Sequence, residues 1–351
     1  MKILEMDFEA GWRGGERQTF LSMQQFRAEG HQVELLCRKG GMIAERARAE
    51  GYAVHDYRCL LGVLSFLAVH GEGYDILHAQ TGHMLSWAVL TKLFHQKPVV
   101  YSRRVAFQLR GLLTRYKYRK ADQVVAISEA CADSVRALGV HDIMIIPSAV
   151  LPVVPDAQRI ADLAQRLGVN GRKVVATTSA LAEDKDPLML VDAIAAVRKQ
   201  RDDFVFIHFG AGAMEAEVRA RVSALGLADT FLFAGYQQQV EALFGLFDVF
   251  VMSSREEGLG SSVLDAFSAR IPVASTDAGG LKEVLADDRG LLSPVADATA
   301  LALNIARLLD KPTWINTMTD KAHAYVSSVH SVDTMANAYL DLFTQLQRAS
   351  R

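Results

Sequence analysis

The stretch DVFVMSSREEGLGSSVLD, residues 248–265, reads as a strand, a glycine turn and a helix start. Val249 to Met252 form an unbroken apolar run, which suits a parallel strand covered on both faces. Gly258 and Gly260 let the chain fold back tightly. A helix then begins near Ser261 and presents its unpaired amides. The same design follows at once: PVAST (272–276) leads into DAGGLKE (277–283), a strand end, paired glycines and a helix start. Working outward, KVVATTS (173–179), FVFIHF (204–209), TFLFAG (230–235) and RGLLS (289–293) are further strands. Helical patterns near 187–200, 213–225, 237–246, 261–270, 280–286 and 297–310 lie between and after them, and the chain is helical beyond Pro312, about 313–327 and 331–349.

The N-terminal half repeats the alternation. KILEM (2–6), QVELLC (32–37), YAVHDY (52–57), YDILHA (74–79), PVVYS (98–102), QVVAIS (123–128) and IMIIP (143–147) read as strands, with helices near 16–29, 41–50, 84–95, 107–119 and 128–138. Strands alternating with helices imply α/β architecture with doubly wound parallel sheets. The rhythm breaks at PSAVLPVVP (147–155), where Pro147, Pro152 and Pro155 fall close together. The expected organisation is a domain over 1–150, a linker over 151–172, a second domain over 173–327 and a final segment over 328–351. Two such domains predict a cleft at the carboxyl ends of their sheets, where open α/β folds bind ligands.

The 351 residues, half of them apolar and 22% charged, are ordinary for a globular protein and exclude disordered, fibrous and disulfide-built classes. No charge-free apolar run is long enough to span a bilayer, and the acids near the N-terminus do not suit a secretory signal. Cys37, Cys59 and Cys131 are odd in number and widely spaced, as in reduced thiols. A cytoplasmic location is expected. Net charge is −2, but residues 1–150 carry 19 Lys and Arg against 15 Asp and Glu, and the remainder 19 against 25. Lys97 to Lys120 contains eight basic residues and no acid. That run is either a solvated helix face or a surface for phosphates and anionic lipid heads at the inner membrane face. No nucleic-acid reading motif accompanies it.

Four loops could hold chemistry. Gly11-Trp-Arg-Gly14-Gly15-Glu16 leaves a strand and enters a helix, a tight turn or a phosphate loop. Asp186 and Pro187 mark a helix start, Asp as N-cap and Pro at the first helical position. Lys185 then sits at the mouth of a helix as an anion-binding lysine or a solvated one. In the 253–265 loop, Glu257 and Asp265 suit sugar hydroxyls, and the turn amides suit a phosphate or sugar oxygen. Asp277-Ala-Gly279-Gly280 repeats the motif. Together these loops argue for an elongated anionic ligand. His78 and His83 lack the spacing of a helical zinc pair and no His/Cys cluster occurs, so no metal is expected; nor is there a G-x-S-x-G nucleophile turn. His78 reads as a core residue, and His83 as one that either faces the cleft or does not.

The run Ser254-Arg-Glu-Glu-Gly-Leu-Gly260-x-x-Val-Leu-Asp265-Ala, followed by Pro272-Val-Ala-Ser-Thr-Asp-Ala-Gly-Gly-Leu-Lys-Glu-Val284, resembles the donor-site signature of glycosyltransferase family four. These are retaining enzymes of the GT-B fold, two Rossmann-like domains facing each other across a cleft. The Gly14-Gly15 loop, Asp75-Ile-Leu-His78, Val125-Ala-Ile-Ser-Glu129, Ala180 to Lys185, Gly210-Ala-Gly212 and Arg289 to Pro294 fall in the family's order.

The resemblance implies transfer of a sugar from a nucleotide-diphosphate donor to a glycan or glycolipid acceptor, with no cofactor or metal. It implies that Glu257 contacts the donor sugar, that Gly258, Leu259, Gly260 and Ser261 form the turn around sugar and phosphate, and that Asp265 meets the ribose. Lys185, Gly14, Gly15, Gly279 and Gly280 would face the diphosphate, and Gly235 and Tyr236 the nucleobase. Lys185 and Glu257 are the catalytic candidates. The final helix would pack back on the N-terminal domain.

Three positions depart from the pattern: Asp265 replaces a glutamate, Ala180 an arginine, and Gln80 a histidine. Arg255, Arg103 or Arg104 could supply the missing cation, and Gln80, His83, Arg103 and Arg104 are acceptor or sugar candidates. Tyr101-Ser-Arg-Arg-Val and Lys117-Tyr-Arg-Lys-Ala-Asp122 resemble members linked to bacterial lipopolysaccharide core or other surface glycans. A GT-B nucleotide-sugar epimerase and a non-catalytic sugar-binding protein are the alternatives.

Overall fold

The structure, a computed structural model, describes residues 1–169 and 171–349. It divides into two compact units, Met1–Ala149 joined by the chain from Val329 on, and Val150–Ser328.

The first unit is built on a seven-stranded sheet of β1 (Lys2–Asp7), β2 (Gln32–Arg38), β3 (Ala53–Tyr57), β4 (Ile76–Ala79), β5 (Val99–Arg103), β6 (Gln123–Ala126) and β7 (Ile143–Ile145). Their order is β3-β2-β1-β4-β5-β6-β7, and neighbouring strands pair in parallel. Alternate residues feed two cores, as period-two side chains must. Ile3, Leu35, Ile76 and Val100 enter one core, and Leu4, Leu36, Leu77 and Val99 the other.

The last helix, Val332–Ala349, buries Met335, Ala336, Tyr339, Leu342 and Phe343 in the first of these cores. That spacing puts all five on one helical face. Helix Gly14–Ala28 packs beside it.

The second unit holds β8 (Lys173–Thr178), β9 (Phe204–Phe209), β10 (Phe231–Gly235), β11 (Val249–Met252), β12 (Val273–Thr276) and β13 (Leu291–Ser293), ordered β10-β9-β8-β11-β12-β13 and parallel. Helices Pro187–Arg198 and Ala298–Leu309 cover one face, with Leu190, Ile194, Leu301 and Ile305 against Phe204, Phe206 and Val249.

The fold is thus α/β with two Rossmann-like doubly wound domains. Each sheet reverses strand order once, between β1 and β4 and between β8 and β11. Crevices outside the carboxyl ends at such reversals are the ligand sites of open α/β sheets. The loops after β1, β4, β8 and β11 lie at these reversals.

Several sequence expectations are corrected. The 151–172 linker contains a helix, Ala157–Leu167, capped by the Asp156 side chain and ended by left-handed Gly168. The proline-rich stretch before it carries neither helix nor strand. A helix unforeseen in the sequence, Leu60–His70, lies between β3 and β4. Its LLGVLSFLAVH has almost no polar face, so helical periodicity is invisible in it. The helix expected over 84–95 is split into Gly82–Leu90 and Lys92–His95 at Thr91, whose hydroxyl bonds the Trp87 carbonyl. The one expected from 107 begins at Leu112. Residues 240–246 form a tighter 3-10 turn rather than an α-helix. Among the described residues no helix is long and apolar enough to cross a membrane.

Candidate functional site

In the second unit, the loops after β8 and β11 are stitched together at the sheet reversal. The Arg255 amide donates to the Asp184 carbonyl at 2.8 Å, and the Ser253 hydroxyl to the Lys185 carbonyl at 2.7 Å. This framework brings Lys185 Nζ to 2.7 Å from Glu257 Oε2 and 3.3 Å from Asp184 Oδ2. Both members of the closer pair are mostly buried, with side chains 21% and 17% exposed. Burial alone pushes the Lys185 ammonium down, but the Glu257 and Asp184 carboxylates outweigh it and hold its pKa above the ordinary lysine value. Lys185 is therefore a fixed cation at neutral pH. Ser254 adds a hydroxyl 3.4 Å from the same Glu257 oxygen.

The loop after β12 lies directly on this hairpin. The Gly280 amide donates to the Glu257 carbonyl at 3.0 Å. A Cβ on Gly279 would stand 2.2 Å from the Glu257 oxygen, and one on Gly280 2.3 Å from the Gly258 oxygen. Backbone meets backbone here, which requires both glycines. Gly260 is left-handed, with φ of 87°, and precedes helix Ser261–Ser268. Ser262 ties that helix to the Thr178 carbonyl at the end of β8. Asp265 is buried one turn into the helix, and Leu259 is buried in the turn. Lys185, Glu257, Gly258, Leu259, Gly260, Ser261, Asp265, Gly279 and Gly280 thus form one assembly.

Gly235 ends β10 and accepts the Gly210 amide at 2.9 Å, and Tyr236 beyond it is exposed. Gly210 permits close contact with the β8 loop, since a Cβ there would fall 2.0 Å from the Ser179 oxygen. Buried beneath it, His208 is pushed down to about 4 by desolvation and is neutral at physiological pH.

The expected side-chain cap at Asp186 is absent. Pro187 does open the helix, but Asp186 is left-handed, with φ of 45°, and makes no side-chain cap. Its carboxylate instead takes the Arg255 Nε at 2.7 Å. Arg255 is thereby committed to Asp186. No sequence signal pairs residues so far apart.

In the first unit, Gly14 and Gly15 begin helix Gly14–Ala28, and the Arg13 amide is bound by the Glu16 carboxylate. The Cδ of Arg104 lies 3.9 Å from where a Gly15 Cβ would stand. The Arg104 guanidinium donates to Gln80 Oε1 at 2.7 Å and to the Ser148 hydroxyl at 3.2 Å. Gln80 in turn donates to Glu5, which also holds His78 at 2.8 Å. The other His78 nitrogen meets Ser102, and Ser102 meets the Tyr339 hydroxyl of the last helix. Gln80 and Arg104 are therefore positioned by a buried polar chain that the sequence hinted at only through a glutamate inside the apolar strand KILEM. Arg103 and His83 stand apart from that chain. Arg103 is buried and donates to the Phe107 carbonyl, while exposed His83 lies against Trp87.

Asp7, at the end of β1, is buried, and its carboxylate accepts from the Glu9 amide and the Thr19 hydroxyl. Desolvation raises its pKa from 3.8 to about 6. A raised carboxyl binds its proton more tightly in the folded chain, so the stability Asp7 contributes is fully present below pH 3.8 and is lost as pH rises through about 6. That change corresponds to about 3 kcal/mol. Asp7→Asn, which can keep both contacts, is expected to raise the melting temperature at pH 8 and converge with the parent near pH 4. Equal gains at both pH values would contradict the burial argument.

Two family models match the chain. One, described as glycosyl transferases group 1, matches residues 159–325, and the other, glycosyltransferase family 4, residues 12–152. The 2-deoxystreptamine glucosyltransferase of Streptomyces kanamyceticus is 29% identical over 232 residues, 63% of this chain and 60% of that protein. The lipopolysaccharide core biosynthesis mannosyltransferase LpsB of Rhizobium meliloti is 24% identical over 250 residues, 67% of this chain and 69% of that protein. The matched stretch thus spans less than two thirds of the first relative. Among solved structures, Anabaena HepE in complex with UDP has a TM-score of 0.88 at 20% identity, covering 98% of this chain and 100% of that one. A likeness at that identity speaks for the fold.

Proposed function

We propose that the chain is a GT-B glycosyltransferase that moves a sugar from a nucleotide-diphosphate donor to a hydroxyl of a glycan or glycolipid acceptor, a reading supported by the two glycosyltransferase family models it matches and by its two Rossmann-like domains. The observation that carries this reading is the Lys185–Glu257 pair, a cation and a carboxylate side by side at the sheet reversal of the second unit. In this reading Lys185 takes the donor diphosphate and Glu257 the sugar hydroxyls, with the turn 258–261 and Gly279-Gly280 closing around them. Asp265 meets the ribose, and Gly235 and Tyr236 border the base.

The bond from the anomeric carbon to the diphosphate breaks, and a bond to the acceptor oxygen forms. The acceptor proton passes to the departing phosphate, whose growing charge Lys185 stabilises. Retention of anomeric configuration and independence of metal belong to the same reading. So does a place in lipopolysaccharide or other surface-glycan synthesis, which the LpsB relative supports. A lipid-borne acceptor would bring the protein to an anionic membrane surface.

Uridine donors are the first to try, because HepE has been seen with UDP and with UDP-glucose. The test is a thermal-shift panel of uridine, guanosine and adenosine diphosphate sugars, since a ligand that binds only the folded state raises its stability. It is followed by nucleotide release with and without saccharide or glycolipid acceptors. Release that depends on acceptor, persists in EDTA and gives a product of unchanged anomeric configuration is expected. Sugar interconversion without acceptor, or binding without turnover, would overturn the proposal.

A further inference from the structure

The basic run from Lys97 to Lys120 is only partly absorbed by the proposed site. Arg103 and Arg104 turn inward, and the Lys117 ammonium is tied to the Gly82 carbonyl and the Ser86 hydroxyl. The rest faces outward. Helix Leu112–Lys120 is anchored through Tyr118, which is buried edge-on against Tyr101 at 5.2 Å between ring centroids. That anchoring leaves Leu112 82% and Leu113 86% exposed, with Tyr116 at 58%. The preceding loop adds Phe107, 51% exposed. Arg110, Arg115, Arg119 and Lys120 are exposed among them. Among the described residues, none of these four cations is in an ion pair.

Neighbouring leucines left in water beside unpaired cations mark a surface made for another phase. With no acid anywhere from Lys97 to Lys120, the surface calls for a partner of uniformly negative charge. A bilayer with anionic headgroups fits both features. Apolar side chains enter the acyl boundary, and long basic side chains reach up to the phosphates.

We propose that helix Leu112–Lys120 and the loop before it dock the protein on an anionic phospholipid bilayer. Leu112, Leu113, Tyr116 and Phe107 enter the interface, and Arg110, Arg115, Arg119 and Lys120 meet lipid phosphates. The proposal extends the glycolipid-acceptor reading by naming the surface that reaches such an acceptor, but its test needs neither donor nor acceptor.

The full chain is floated with vesicles of phosphatidylcholine alone and of phosphatidylcholine mixed with phosphatidylglycerol. Binding to the mixed vesicles only, weakened by salt, is expected. Removing one charge, as in Arg115→Gln or Lys120→Gln, should weaken it about fivefold. Leu112→Asp and Leu113→Asp should each weaken it about tenfold or more. Both leucines are exposed, so melting curves should not change, and transfer to a water-soluble acceptor should continue at the parent rate. No binding to anionic vesicles, equal binding to neutral ones, or unchanged binding by the leucine variants would overturn the proposal. Self-association abolished by the same leucine substitutions would overturn it too, by making the surface a contact between copies. A failed transfer assay with vesicle binding intact would count against the enzymatic reading alone.

Discussion

Lys185→Ala is expected to lower turnover about a hundredfold or more, the loss of roughly 3 kcal/mol that follows removal of one preset donor to a developing charge. The geometry explains the size. Lys185 is mostly buried, held above the ordinary lysine pKa and fixed by Glu257 at 2.7 Å, so its charge is in place before any donor arrives. Negative charge on the leaving diphosphate grows on the way to the transition state. The effect should therefore fall more on kcat than on the donor KM. Lys185→Arg should retain part of the rate, because it keeps the charge but changes its reach. Steady-state kinetics with the donor identified by thermal shift make the comparison, and an unchanged kcat in the alanine variant would remove Lys185 from the mechanism.

Gly279→Ala should destabilise the second unit by about 3 kcal/mol and abolish tight donor binding. Gly279 has φ of 48° and ψ of −123°, a backbone region closed to side chains. Its Cβ would stand 2.2 Å from the Glu257 oxygen. The obstacle is main chain, so no rotamer change relieves it, and the turn that aims Glu257 must move. Gly226→Ala is the matched control. Gly226 is also left-handed, with φ of 65°, but nothing lies within 4 Å of its Cβ position. It should cost only about 1 kcal/mol and leave donor affinity intact. Thermal melts and donor titrations of both variants separate steric intrusion from general left-handed strain. Equal behaviour of the two would refute the close-packed turn.

The strands were legible in the sequence because each is a short apolar, β-branched run bounded by turn residues. Strand order was not legible, since it depends on which edges pair and no local pattern encodes that. Leu60–His70 was hidden by its uniform apolarity, and Ala157–Leu167 by the prolines before it.

At the site, the glycine pairs and Glu257 announced themselves because a loop between a strand end and a helix start has few structural reasons to carry them. The Lys185–Glu257 and Asp186–Arg255 pairs did not, because they join loops far apart in the chain. Asp186 shows the limit of local rules. Its position before Pro187 marks the helix start correctly, yet the side chain leaves its capping role for Arg255. The Glu5–His78–Gln80–Arg104 chain was visible only as a charge out of place in an apolar strand.

A crystal structure of the chain soaked with the nucleotide sugar that gives the largest thermal shift tests the central claim most directly. The account predicts the diphosphate against Lys185 Nζ, drawn away from Glu257, and the sugar hydroxyls against the Glu257 carboxylate. A nucleotide sugar bound elsewhere, with the Lys185–Glu257 pair still closed at 2.7 Å, would contradict it.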